Sequence, residues 1–80
     1  MNLRITKEEV TYVHGEPQID FLVASDEAMT GVHLVPEAGD SLDDSRFREC
    51  ARIAALEYGR RQITKFMEIS RVQQTTRMRD

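Results

Sequence analysis

The chain has no tryptophan, one cysteine, two prolines and no apolar run that approaches the length of a membrane span, and between Glu8 and Asp44 it has no lysine or arginine. Each shortage closes off a class of protein. With Cys50 alone there is no intrachain disulfide, so the small secreted disulfide scaffold is excluded and a reducing compartment fits. Without a run of about 18 apolar residues there is no candidate spanning helix, and Met1–Arg4 lacks the apolar stretch of a signal peptide, so the expectation is a cytoplasmic protein with no membrane contact. Aromatic residues are few, so the core must be built from Ile, Val, Leu, Met and Ala.

Eighty residues make one domain, which on folding buries only about 60–65% of the surface its extended chain exposes. A net stability of about 3–5 kcal/mol follows. So thin a body leaves little room for an enclosed ligand pocket, and this weighs against an enzyme.

What the chain does have is sorted charge. Ten acidic residues occupy the segment from Glu8 to Asp44, and from Arg46 onward nine basic residues face four acidic ones. Such sorting speaks to partners and association rather than to fold.

The first half alternates at period two. Leu3 and Ile5 alternate with polar neighbours, Val10 and Tyr12 point one way while Thr11 and Val13 point the other, and Lys7-Glu8-Glu9 marks a bulge or bend between the two runs. Gly15-Glu16-Pro17 punctuates, and Ile19, Phe21 and Val23 share one face of a second strand. Ser25-Asp26-Glu27 supplies a turn into a short third strand through Val32 and Leu34, which Pro36 ends. After the Gly39-Asp40-Ser41 loop, Ser41 and Asp44 match an N-terminal capping pair, with Asp43 and Asp44 in the first helical turn. Phe47, Cys50, Ala51, Ala54 and Tyr58 form an apolar helical stripe, which Ile53 and Leu56 widen.

Gly59 decides the rest. A helix continuing through it would carry Ile63, Phe66 and Met67 out of phase with that stripe, so Gly59 is expected to be a left-handed cap. The β-formers Ile63, Thr64, Phe66, Ile69 and Val72 then make a fourth strand, the competing reading being a second helix over residues 60–75. The expected fold is a single α+β domain over residues 1–72, β-β-β-α-β, its antiparallel sheet covered on one face by the helix. Residues 73–80 would be a frayed tail.

Candidate chemistry is sparse. His14, His33 and Cys50 match no metal-ligand spacing, the neighbouring carboxylates Asp26-Glu27 and Asp43-Asp44 suit a solvated turn and a helix start, and the four glycines are isolated. The expectation is therefore no metal, no cofactor and no catalysis. Function is expected in the class of small non-enzymatic binding proteins: an accessory, adaptor or inhibitor, of a kind common among phage and mobile elements, that occupies the surface of another protein. The partner would be basic or itself a nucleic-acid binder, met by Glu16, Asp20, Asp26, Glu27 and Glu37 around apolar contacts from Tyr58, Phe66 and Met67. Charge sorting also predicts a two-fold homodimer. The alternative is a nucleic-acid-binding module that tracks phosphates with Arg60, Arg61, Lys65, Arg71, Arg77 and Arg79, against which stand the net charge of −3 and the scarcity of aromatics near these residues.

Overall fold

Two consecutive residues with positive φ, His14 (53°) and Gly15 (80°), turn the chain back on itself in a two-residue reversal whose twist suits a hairpin. It joins β1 (Arg4–Val13) to β2 (Glu16–Ala24), and a second reversal leads into β3 (Met29–Leu34). The three strands form an antiparallel meander in the order β1-β2-β3. One helix, α1 (Ser45–Arg79), completes the chain. This computed structural model describes residues 2–79, with side chains described for residues 2–70.

The alternation seen in the sequence sets the faces. Ile19, Phe21 and Val23 point to the helix side and are fully buried, and Val32 beside Phe21 extends that layer onto β3. On β1 a bulge at Thr6 shifts the register between Ile5 and Lys7. That one extra residue reverses the parity of the strand, so that odd-numbered Ile5, opposite Val23, and even-numbered Val10, opposite Ile19, both face the helix. The expected bulge is therefore present, one residue before Lys7.

The helix begins later than the capping pair suggests. Asp44 is the cap, its carboxylate accepting the Arg46 N–H at 2.9 Å, while Ser41 organises the preceding turn by accepting the Asp43 N–H. Asp43 and Asp44 thus precede the first turn, which contains no acidic residue.

The expected closing strand is not formed. Residues 63–69 continue α1, which passes through Gly59 without a break. Gly59 is there for proximity: a Cβ at this position would lie 2.7 Å from both Cβ and Cγ1 of Val23. Glycine marks the place where the helix backbone comes down onto the central strand. Of the expected stripe, Ala51 is buried and Phe47 and Leu56 pack against the core, but beyond Ala51 the buried row is displaced by one position. Ala51, Ala55, Gly59 and Ile63 are buried, whereas Cys50, Ile53 and Tyr58 are exposed and Ala54 is half-buried. Each step of four residues advances about 40° around the axis, so this row suits a helix that crosses the sheet obliquely. It meets β1 through Arg48 and Arg52, β2 at Gly59 and β3 through Gln62. Only a sheet contact parallel to the axis would require Ile63, Phe66 and Met67 to stay in phase with the Phe47–Tyr58 stripe.

At 1.5 Å per residue the 35-residue helix is about 52 Å long, against about 30 Å for nine-residue β2. The long dimension of the molecule, 55 Å, is therefore the helix, which runs on past the β2–β3 turn. The frayed tail expected at 73–80 falls where side chains lie outside the described residues, and Asp80 lies outside them altogether.

Two polar contacts fasten the crossing. At the β1 side, Glu8 points inward with its side chain 15% exposed and accepts hydrogen bonds from Arg48 Nε (3.1 Å) and Nη2, and from Arg52 Nε (2.6 Å) and Nη2 (3.1 Å). These bonds, that of Arg52 first, hold the Glu8 carboxyl below the usual carboxylate range against an opposing effect of burial. At the β3 side, the Thr30 hydroxyl donates to Gln62 Oε1 at 2.5 Å.

Candidate functional site

The surface most unlike a simple solvated exterior lies where the helix leaves the sheet. Its floor is the β2–β3 turn, which Ser25 holds together: the Ser25 N–H donates to the Ala28 carbonyl at 2.8 Å, and the Ser25 hydroxyl accepts from the N–H groups of Glu27 (3.2 Å) and Ala28 (3.1 Å). With the backbone groups satisfied inward, Asp26 and Glu27 project into solvent. Asp26 meets Arg4 only at 3.6 Å across two well-exposed side chains, a pair that contributes little.

Above the turn, α1 seats Ile63 completely and then loses its support. Phe66, one turn later, is 62% exposed, and Met29 across from it at the start of β3 is also 62% exposed. Between them runs an open groove of about 460 Å³ lined by Glu27, Ala28, Met29, Thr30, Gln62, Ile63 and Phe66. A second depression on the other side of the turn is lined by Asn2, Ser25, Asp26, Glu27 and Met67. The result is an apolar centre with carboxylates at its rim.

This corner gathers four of the residues expected to bind protein: Asp26, Glu27, Phe66 and Met67. The other four lie elsewhere. Tyr58 is half exposed farther back along the helix. Glu16 and Glu37 line a shallow depression at the opposite end of the sheet, with Val35, Pro36 and Asp40. Asp20 faces neither end. It sits in the middle of the sheet face that α1 does not cover, where it accepts hydrogen bonds from Thr11 Oγ1 (2.7 Å) and Gln18 Nε2 (2.7 Å) and meets His33 Nδ1 at 2.6 Å. These partners, His33 first, hold its carboxyl below the usual range. It is a cross-strand fastener linking all three strands. Met29, Thr30 and Gln62 escaped the sequence reading, Met29 because it lies beside a turn and outside any periodic run.

Residues weighed for other chemistry do not converge. His14 is in the hairpin turn, His33 on the uncovered sheet face and Cys50 exposed on the helix. Among the described residues no group of three or more His, Cys, Asp and Glu side chains could hold a metal. Arg60, Arg61 and Lys65 share the solvent side of the helix with Glu57 and Glu68, and Arg61 bonds Glu57 at 3.1 Å. The side chains of Arg71, Arg77 and Arg79 lie outside the described residues. No helix of the described residues is long and apolar enough to cross a membrane. Comparison with protein families, with curated proteins and with solved structures finds no match to this chain.

Proposed function

We propose that the chain is a small non-enzymatic binding protein, an accessory, adaptor or inhibitor, and that it meets its protein partner at the corner between the β2–β3 turn and the overhanging helix. One observation carries the reading: two large apolar side chains, Phe66 and Met29, stand mostly exposed on either side of a groove lined by Glu27, with Asp26 beside it in the adjoining depression on the other side of the turn. A central apolar anchor inside a charged rim is how protein contact surfaces are built, with the anchor supplying most of the affinity and the rim steering encounter. The carboxylates select a partner with basic residues around its own apolar contact. Intermingled acidic residues weaken the case for the Arg60, Arg61 and Lys65 face as a phosphate track.

A two-fold pair of chains is the second reading. It is favoured by Tyr58, Phe66 and Ile69, all exposed and within about 80° of one another around the helix. Sedimentation equilibrium decides it by whether one chain or two is weighed.

The test of the main reading is affinity capture from the native host with the full chain and three variants. Phe66→Asp and the double reversal Asp26→Arg/Glu27→Arg should lose the captured partner, while Glu57→Arg, on the solvent side of the helix, should retain it. Retention by Phe66→Asp with a native circular dichroism spectrum contradicts the reading.

A further inference from the structure

The two outer strands of the sheet are guarded unequally. β1 carries Arg4, Lys7, Glu8 and Glu9, has the bulge at Thr6 and turns Glu8 inward, three devices that discourage another strand from pairing with its edge. β3 has none of them. Its six residues, Met-Thr-Gly-Val-His-Leu, include no Lys, Arg, Asp, Glu or Pro, and they pair with β2 in unbroken register from Met29 to Leu34. Among the described residues nothing pairs with its outer edge. Gly31 lies mid-strand, and a Cβ there would meet nothing closer than 3.9 Å, so tight packing does not account for the glycine.

An unguarded edge in a stable fold is a site for strand addition. Here it is continuous with the groove, since Met29 and Thr30 belong to both. Charge identifies the occupant. Asp26 and Glu27 stand at one end of the edge and Glu37 and Asp40 just beyond the other, with no lysine or arginine between them in sequence. A second copy pairing its own β3 antiparallel across a two-fold axis would bring Asp26 and Glu27 of each chain toward Glu37 and Asp40 of the other, which is repulsive. An extended segment with basic residues at its ends meets attraction at both.

We propose that the outer edge of β3 accepts an extended, lysine- or arginine-flanked segment of the partner protein as a fourth strand, with one apolar side chain of that segment entering the groove between Met29 and Phe66. This rests on the binding role of the corner and names the form of its partner. The backbone of the segment bonds the Met29–Leu34 edge, its apolar residue supplies the anchor, and its basic ends meet Asp26 and Glu27 on one side and Glu37 and Asp40 on the other.

The test is a titration of the isotopically labelled full chain, followed by amide resonances. Two ten-residue peptides serve as probes, alternating Val and Thr about a central Phe, one with two Lys at each end and the other with two Glu. The expected result is saturable shifts at Met29–Leu34 and at the Ser25–Ala28 turn with the Lys peptide only, with slowed exchange of β3 amides and no change along β1. The double reversal Asp26→Lys/Glu27→Lys should weaken that binding by about tenfold. A Lys peptide interrupted by Pro should fail to slow exchange. Shifts confined to the turn and Phe66 overturn strand addition while leaving the corner as a binding surface, and no shift anywhere contradicts both. Equal binding of the two peptides overturns the charge argument. Concentration-dependent β3 shifts without peptide give the edge to a second copy and overturn the proposal.

Discussion

Replacing Gly59 by alanine separates two contributions of opposite sign. In a helix interior alanine is favoured over glycine by about 1 kcal/mol, so a glycine with open space around it should be improved by the change. Here the added methyl would lie 2.7 Å from Val23 Cβ and Cγ1 and 3.0 Å from Cγ2. Val23 is fully buried on the central strand and stiff at χ1, so it has nowhere to turn. Overpacking of this kind costs about 1–3 kcal/mol, and three contacts at or inside 3.0 Å argue for the upper end. The net expectation is a loss of about 2 kcal/mol, much of the stability of a domain this small. With a urea dependence of about 1 kcal/mol per molar, the midpoint of unfolding falls by about 2 M. The same change in a Val23→Ala background should lose its penalty and become neutral or stabilising by up to about 1 kcal/mol. If Gly59→Ala is stabilising in the original chain, or costs the same in both backgrounds, the helix does not pass over Val23 as described.

Other consequences can be checked in parallel. Glu8→Gln should cost about 2 kcal/mol, since it weakens charged hydrogen bonds from Arg48 and Arg52. Because the folded Glu8 carboxyl lies below its unfolded value, its contribution is complete above the ordinary carboxylate range and is lost as pH falls through the folded value. The stability difference between original and variant should therefore shrink on acidification, and a difference constant with pH would count against the clamp. Asp20→Ala should cost about 1 kcal/mol by urea denaturation, and no loss would show the cross-strand fastener to be idle. Cys50, exposed on the helix, should react with a thiol reagent in the native state, whereas reaction only on unfolding would restore it to the buried stripe.

The sheet was legible because its signals are short-range. Ile19, Phe21 and Val23 alternate at period two, Ser25 and Pro36 bound the third strand, and the change of parity between Ile5 and Val10 calls for a bulge. The helix was legible in its existence but not its extent, because one residue type serves two purposes. Glycine ends helices where the backbone turns left-handed and also sits inside them where a neighbouring side chain presses against the helix backbone, and only the position of Val23 tells which applies to Gly59. Phe47, Ala51 and Leu56 were legible as core, but the row beyond Ala51 was misplaced for a related reason. An oblique crossing selects Ala51, Ala55, Gly59 and Ile63, and small residues carry little weight in a hydrophobic pattern against Cys50, Ile53 and Tyr58. Of the candidate site, the acidic turn and Phe66 could be named from sequence, but their meeting depends on the helix continuing past Gly59. The difference between the two sheet edges depends on strand order.

The corner is tested most directly by placing a photo-crosslinking phenylalanine analogue at position 66 of the full chain in its native host, and for comparison at Ile53, equally exposed on the helix but away from the corner. A covalent adduct with one partner protein should form from position 66, fail from position 53, and disappear when Asp26 and Glu27 are reversed to arginine. Equal adducts from both positions, or an adduct at 66 indifferent to that reversal, would contradict the account.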